Sequence, residues 1–206
     1  MRPTRIPLFP LDVVLLPGAA LPLHIFEPRY KKMIGRCLMQ KVEFGMIYAT
    51  GKSVAAIGCT AEIMQKMKQY PDGRMDILTK GRAPFRLLQL LQEEVYYEGL
   101  VEYLVEELAA QDAQKNERIT RLLQECHVLL YGQAWVDSSD EQDSSLSYRM
   151  AARLPIEIED KQLMLQMRCE NERCDFLEKW LGEFLPKLEG RQSVRKHAAG
   201  NGHGPN

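Results

Sequence analysis

Short apolar runs separated by Pro and Gly dominate the first half of the chain, from residue 6 to about 104. This punctuation is typical of a strand-dominated domain. One helix interrupts the pattern, because Pro28 suits a first helical position and apolar residues then recur at helical spacing up to Leu38. The predicted strands are residues 13–16, 44–50, 54–67, 75–79, 85–91 and 99–104. Six strands with tight connections predict a small barrel or a strongly curled sheet, with the helix closing one end.

Two turns are specified by residue type. Pro71, Asp72 and Gly73 supply a preset φ and a permissive glycine, which predicts that strand 54–67 pairs antiparallel with the strand that follows the turn. Gly51 and Lys52 are interpreted as another strand-to-strand turn.

Helical spacing replaces the strand pattern from Ala113 onward. Apolar residues recur every three or four positions up to Tyr131, and Gly132 suits the end of that helix. The acidic, serine-rich stretch 137–145 predicts a solvated loop, in which Ser145 is a potential N-cap for a short helix up to Met150.

Two further helices are predicted at 159–168 and 172–188, and the last carries a continuous apolar stripe that must be covered. The segment after Gly190 is rich in Gly, and its only large apolar residue is Val194, so disorder is expected there. The predicted fold class is α+β. Its parts are a β-rich subdomain at 1–108, an α-helical subdomain at 109–188 and a disordered tail at 189–206.

Composition narrows the function classes. The 206 residues include 27 basic and 28 acidic side chains, and the formal net charge of -1 provides no field that would attract nucleic acid or anionic lipid. No apolar run approaches the roughly 20 residues of a membrane span, and Pro and Asp12 interrupt what would be a signal-peptide core. The five cysteines are scattered without a CxxC pair, as expected in a reducing compartment. These features indicate a cytoplasmic protein.

One segment superficially resembles a phosphate-binding P-loop. A P-loop has four residues between its glycines and a helix after Lys-Ser, so that backbone N–H groups at the helix start hold the phosphate. Here five residues separate Gly45 from Gly51, and a β-rich run follows Ser53. Nucleotide binding at this segment is therefore disfavoured.

Catalytic and metal-binding signatures are also missing from the sequence. Neither HExxH nor GxSxG occurs, although a dispersed triad stays open. His24, between apolar neighbours, is interpreted as a partly buried hydrogen-bonding residue. Cys169 and Cys174 are interpreted as packing thiols. No Cys/His cluster has zinc-ligand spacing, so neither a metal nor a cofactor is predicted.

Binding is the chemistry that remains. Met64, Met67 and Tyr70 lie near the tip of the predicted hairpin, and Tyr96 and Tyr97 adjoin another turn. Met and Tyr are adaptable apolar contacts suited to varied hydrophobic segments, so these residues are a candidate site for unfolded chains. The alternative is that they only pack against the hairpin or the helical subdomain.

Several blocks of sequence follow one another from the N-terminus: the run from Ile6 to Gly18, the run from Leu21 to Tyr30, and then blocks 44–47, 58–63 and 72–86. In this order they resemble the Lon N-terminal domain, which opens with runs similar to the first two. The helical half is similar through Leu154-Pro155, 161–165, Glu172-Arg173 and Phe176-Leu177, which extends the resemblance from about residue 5 to 188. The matched signature residues are Pro10, Pro17, Gly18, Pro22, Leu23, Phe26, Glu27, Arg29, Tyr30, Gly58, Asp72, Gly73, Gly81 and Phe85. We expect these chiefly to hold the fold together.

The resemblance implies a PUA-like β domain, an α-helical subdomain and a role in capturing polypeptides. It implies a free-standing bacterial module without the nucleotide-driven motor and Ser-Lys protease of full-length Lon. The expected partners are polypeptide clients and a separate protease or chaperone, with no nucleic acid and no membrane. Two alternatives stay open, RNA binding by analogy with other PUA-like folds and, less favoured, hydrolysis.

Overall fold

The computed structural model describes residues 4–51, 53–92, 95–107, 112–136 and 144–200, and for 192–200 it describes the backbone. Within these residues the α+β prediction is confirmed, with six strands and five helices. The strands are β1 (Arg5–Leu11), β2 (Ala20–Ile25), β3 (Phe44–Thr50), β4 (Ser53–Gln69), β5 (Met75–Leu91) and β6 (Glu98–Tyr103). The helices are α1 (Pro28–Gln40), α2 (Ala113–Tyr131), α3 (Leu146–Ala151), α4 (Ile158–Gln166) and α5 (Glu170–Gly200).

The sheet closes on itself. The strand order is β2-β5-β4-β3-β1-β6, and β6 also pairs with β5. All the pairings are antiparallel except β1 with β3. The long strand β5 makes closure possible, because its first half pairs with β2 and β4 while its second half pairs with β4 and β6. The predicted barrel is thus present, and β2 extends it at one edge.

The barrel interior is filled by aliphatic and aromatic side chains. Ile6, Leu8, Ile47, Phe85 and Val101 form its buried cluster. Gly58 makes room for the Phe85 ring, because a Cβ at Gly58 would lie 2.6 Å from Phe85 Cζ and 2.5 Å from the Met46 carbonyl oxygen.

Helix α1 packs against the barrel as predicted. Its first turn starts at Pro28, and its buried face consists of Tyr30, Met33, Ile34 and Cys37. The Phe9 ring of β1 lies 4.1 Å from the Tyr30 ring, measured between centroids. The helix ends at Lys41, whose left-handed backbone accommodates the cap bond to the Cys37 carbonyl oxygen.

The strand prediction was wrong at the N-terminus. Residues 13–16 form a loop, whereas β1 and β2 lie on either side of it. Pro7, Pro10 and Pro22 argue against strands locally, because proline cannot donate a ladder hydrogen bond. Pairing with β3, β6 and β5 overrides that local preference.

The chain forms two compact units. One comprises Met1–Glu107 and Asp140–Arg168, and the other Leu108–Ser139 and Cys169–Asn206. This grouping differs from the linear division at residue 108, because α3 and α4 belong with the sheet. Gln162 of α4 donates from Nε2 to the Ile57 carbonyl oxygen of β4 at 2.7 Å.

The second unit is built on α2 and α5. Helix α2 is capped by the Asp112 side chain, which accepts from Lys115 N–H, and it ends as predicted at Gly132 with φ of 73°. The buried faces consist of Ile119, Leu123 and Cys126 on α2 and of Cys174, Leu177, Leu181 and Leu185 on α5. Lys115–Asp175 and Arg118–Glu178 ion pairs link the two helices.

The C-terminal segment differs from the prediction of a disordered tail at 189–206. Helix α5 continues to Gly200, although Pro186 lies inside it. Extending an established helix adds one hydrogen bond per residue, and residues 192–199 include good helix formers such as Arg195 and Ala198. Residues 201–206, like most of the predicted loop at 137–145, lie outside the described residues.

Candidate functional site

Met64 and Met67 occupy the outer end of β4, where the strand leaves the barrel. The register between β4 and β5 shifts once between Ile63 and Gln65 and again between Lys66 and Lys68. Each shift leaves one methionine as the extra residue of a β-bulge. The side chains remain accessible, with relative exposures of 49% for Met64 and 57% for Met67.

The bulges leave both methionines without a partner in the ladder. Met64 lies between Ile63, which pairs with Thr79, and Gln65, which pairs with Leu78. Met67 lies between Lys66, which pairs with Ile77, and Lys68, which pairs with Asp76. Both methionines are therefore unpaired, exposed positions beside the part of β5 that contains Asp76 and Leu78.

Strand β2 contributes residues to the Leu78 and Asp76 side of the sheet. Pro22 pairs with Leu78 and His24 with Asp76, and directly opposed residues share a face. Phe26, just after β2, is 59% exposed, and its ring stacks on the His24 ring at 6.0 Å between centroids. We call this surface the hairpin face. It comprises Pro22, His24, Phe26, Met64, Met67, Tyr70, Asp76 and Leu78.

Tyr70 is fixed where the hairpin turns. Its backbone N–H donates to the Arg74 carbonyl oxygen, and Gly73 N–H donates to the Tyr70 carbonyl oxygen, with Gly73 at φ of 83°. The predicted turn at residues 71–73 is thus confirmed. The Lys68 ammonium lies 4.5 Å and the Arg74 guanidinium 5.1 Å from the Tyr70 ring centroid, so cations border the apolar surface.

Asp76 organises the polar centre of the hairpin face. His24 Nδ1 lies 2.6 Å from Asp76 Oδ1, and the Tyr70 hydroxyl donates to Asp76 Oδ2 at 2.9 Å. The pKa of the Asp76 carboxyl is lowered from its ordinary value. The hydrogen bond from His24 is the largest cause, and the hydrogen bond from Tyr70 is the next. A carboxylate that accepts both bonds keeps the two aromatic rings in fixed positions. The interpretation of His24 as hydrogen-bonded holds, but its side chain is 44% exposed, which is more than expected.

Tyr96 lies outside this surface. It is 2% exposed, and its hydroxyl accepts a 2.9 Å hydrogen bond from Arg36 Nη1. Tyr97 is half-buried and packs against the barrel cluster. The sequence predicted that both tyrosines adjoin an exposed turn. They directly precede β6, which begins at Glu98, and they pack against the rest of the unit. For these two tyrosines the structure favours the packing alternative.

Several signature residues have structural roles. Gly18 N–H donates to the Gly81 carbonyl oxygen, and Gly81 N–H donates to the Ala19 carbonyl oxygen, which fastens the loop after β1 onto β5. Asp72 accepts from the Arg74 backbone N–H in the hairpin turn. Glu27 pairs with Arg29, whose guanidinium lies 4.5 Å from the Tyr30 ring centroid. Phe26 differs from these residues, because its ring is exposed.

Three features of the described residues bear on catalytic chemistry. Ser53 opens β4, so a strand follows the P-loop-like segment instead of a helix. No group of three or more His, Cys, Asp or Glu side chains within the described residues could hold a metal ion. Burial raises the pKa of the Cys37 and Cys126 thiols to about 11 and that of Cys174 to about 12. Such thiols are protonated near neutral pH and are poor nucleophiles.

None of the helices among the described residues is both long and apolar enough to cross a bilayer.

Comparison with known families and proteins identifies one family. Residues 5–182 match the model of the ATP-dependent protease La (LON) substrate-binding domain. The Lon protease of Escherichia coli (strain K12) is 26% identical over 221 residues, which cover 95% of this chain and 27% of that protein. The Lon protease of Cytophaga hutchinsonii is 20% identical and covers 93% of this chain and 26% of its own length. The chain thus spans about a quarter of the curated relatives it matches.

Solved structures show the same fold. The Lon N-terminal domain protein from Xanthomonas campestris superposes with a TM-score of 0.64 at 24% identity, covering 86% of this chain and 99% of that one. The N-terminal domain of Mycobacterium avium complex Lon protease superposes with a TM-score of 0.66 at 14% identity, covering 86% and 98% respectively.

Proposed function

The chain belongs to the family of the ATP-dependent protease La (LON) substrate-binding domain, and on this premise we propose that it is a non-catalytic module that binds unfolded or specific polypeptides through the hairpin face. The observation that carries the proposal is the pair of half-exposed methionines that two β-bulges leave unpaired at the outer end of β4. The expected cellular setting is the bacterial cytoplasm.

The composition of the hairpin face suits varied apolar segments. Methionine is unbranched and polarizable, so Met64 and Met67 can adapt to side chains of different shape. Phe26 and Tyr70 supply rigid aromatic area at a low entropic cost. A flexible part beside a rigid part is typical of surfaces that accept many partners.

The strand framework beneath this surface limits the cost of binding. Leu21, Leu23 and Ile25 alternate with the exposed residues of β2 and pair with Thr79, Ile77 and Met75 on the opposite side of the sheet. The backbone is therefore ordered before a client arrives, and binding orders mainly side chains. Lys68 and Arg74, whose cationic groups lie 4.5 and 5.1 Å from the Tyr70 ring centroid, border the apolar centre, which favours clients with acidic residues next to apolar ones.

A direct test measures the affinity for an unfolded model protein, such as fluorescent, reduced and carboxymethylated α-lactalbumin. Replacing Met64 and Met67 together by Gln keeps the side-chain length and removes the apolar contact. We expect the double variant to bind about tenfold more weakly, because each lost contact contributes about 0.7 kcal/mol or more. Met39→Gln is the matched control, since Met39 is 78% exposed on α1, outside the hairpin face. Equal binding by wild type and the double variant would remove the hairpin face as the site.

The non-catalytic part of the proposal needs its own measurement. Purified protein should leave a fluorogenic peptide and casein uncleaved, with or without ATP and Mg²⁺, and reproducible ATP-stimulated cleavage would refute that part. Crosslinking in cells followed by mass spectrometry would identify clients and any separate protease or chaperone. Recovery of structured RNA instead, with a salt-sensitive gel shift, would favour the RNA-binding alternative.

A further inference from the structure

A pocket of about 260 Å³ lies within the first unit, outside the hairpin face. One wall is the loop between β1 and β2 together with the start of β2, including Val13, Val14 and Leu21. The other wall comes from the end of α3 and from α4, including Ala152, Ile158 and Lys161. Among the described residues that line it, Lys161 is the only charged one.

The first wall is held rigidly by β5. The reciprocal backbone hydrogen bonds of Gly81 with Gly18 and Ala19 are 2.8 and 2.9 Å long. Gly81 lets the loop approach closely, because a Cβ there would lie 2.1 Å from the Leu16 carbonyl oxygen. The pocket wall is therefore preformed and needs no ordering when a ligand binds.

The second wall is fixed by α4. Ile158 and Lys161 are three residues apart and share one face of the helix. The next position, Gln162, ties the helix to β4 through its bond to the Ile57 carbonyl oxygen. The Lys161 side chain is half-buried beside the apolar lining.

Lys161 has no ion-pair partner within the part of the chain that the structure describes, although Glu157 precedes it by one helical turn. An apolar cavity bordered by one cation is complementary to a ligand with an apolar body and one anionic end. Its volume is below the roughly 300–1,000 Å³ of small-molecule pockets, which suits a single amino-acid side chain better than a long acyl chain.

We propose that this pocket binds the C-terminal residue of a polypeptide, with an apolar side chain in the cavity and the α-carboxylate paired with Lys161. The inference rests on the proposed polypeptide-binding function and adds to it a second contact, which binds the free C-terminus of a client. The hairpin face contacts apolar segments anywhere in a client, whereas this pocket selects a free terminus with an apolar last residue.

The test compares two fluorescent peptides of the same sequence ending in Leu, one with a free carboxylate and one amidated. Fluorescence anisotropy with wild-type protein should give at least about tenfold tighter binding of the free acid, since a charge-assisted pair contributes roughly 1.5–3 kcal/mol. Lys161→Gln should abolish that preference. Lys179→Gln, an exposed lysine on α5, is the matched control and should retain it. Equal affinity of wild type for both peptides would overturn the proposal.

A second variant tests the cavity itself. Ala152→Phe should fill the pocket from its rim and weaken binding of the free-acid peptide about tenfold while leaving Lys161 in place. Replacing the terminal Leu by Asp should have a similar effect. Unchanged binding after either replacement would contradict the proposal, as would palmitate that displaces the peptide at concentrations well below those of the unlabelled peptide.

The two proposals fail separately. The variant with Gln at positions 64 and 67 should bind the free-acid peptide like wild type, because its pocket is intact. Capture of unfolded protein by the hairpin face, combined with no preference for the free acid, would eliminate the terminus site alone. A retained free-acid preference with no dependence on the two methionines would eliminate the hairpin face alone.

Discussion

His24 and Asp76 stand directly opposite each other on β2 and β5, and the His24 Nδ1 atom lies 2.6 Å from Asp76 Oδ1. They are 52 residues apart in the sequence, and their contact joins the edge strand to the hairpin that carries the two methionines. The Tyr70 hydroxyl donates to the second oxygen of the same carboxylate. One half-buried aspartate therefore holds the His24 and Tyr70 rings of the hairpin face in position.

Asp76→Asn should make stability less dependent on pH. The pKa of Asp76 is lowered in the folded protein, so its contribution to stability is present above the ordinary aspartate pKa of about 3.9 and is lost as pH falls through the lower folded value. Wild type should therefore exceed the variant in urea midpoint at pH 6, and the difference should shrink below about pH 4. Asp12→Asn, at an exposed position in the loop after β1, is the control. A difference that stays constant between pH 6 and strong acid would contradict the assignment.

Gly81→Ala should destabilise the protein. The new Cβ would lie 2.1 Å from the Leu16 carbonyl oxygen, and this backbone atom cannot move without breaking the attachment of the loop to β5. A loss of about 2 kcal/mol in the free energy of unfolding is expected. Urea denaturation measures it.

Gly35→Ala is the matched substitution and should have the opposite sign. A Cβ at Gly35, inside α1, meets no atom within 4 Å. Alanine should therefore stabilise the helix by about 0.5–1 kcal/mol. Destabilisation by both substitutions would show that close approach is not what distinguishes Gly81.

Glu98→Gln should weaken the junction between β1, α1 and β6. The Glu98 side chain is 6% exposed, and it accepts from Arg5 Nε at 2.6 Å and from Arg36 Nη1 at 3.1 Å. Removing the charge should cost about 1–2 kcal/mol, since both arginines are partly solvated and the pairs are weaker than fully buried ones. Chemical denaturation provides the measurement. Glu102→Gln is the control, because its pair with Arg86 is exposed and contributes little.

Thiol labelling should distinguish one cysteine from the others. Cys37, Cys59, Cys126 and Cys174 are buried, whereas Cys169 is half-exposed. In native protein near pH 8, a disulfide reagent should modify Cys169 first, while the buried thiols react only as the protein opens. Cys169→Ser should remove the fast phase of labelling. Reaction in urea should label every thiol and so gives the total number against which the native reaction is compared. Rapid reaction of several thiols in the native Cys169→Ser protein would contradict the burial.

Local patterns predicted a large part of the fold. The Pro71–Gly73 turn, the start of α1 at Pro28 and the end of α2 at Gly132 all follow from residues whose backbone preferences are strong. Local patterns did not predict strand β1. Pro7 and Pro10 disfavour a strand locally, and only pairing with β3 and β6 stabilises one there. The candidate site was predictable in part. Sequence pointed to Met64, Met67 and Tyr70, yet it gave no sign that Phe26 and His24 lie on the same face.

The sequence by itself determined the order of most elements, the hairpin and the family signature, because turn chemistry and apolar periodicity act over a few residues. Only the tertiary structure decided which side chains are exposed, which are buried and where a pocket forms. Two bulges leave both methionines unpaired and exposed at the outer end of β4, and Tyr96 is buried, because strand register and burial depend on partners far away in the chain. The pocket at Lys161 has the same origin, since its walls come from segments more than a hundred residues apart.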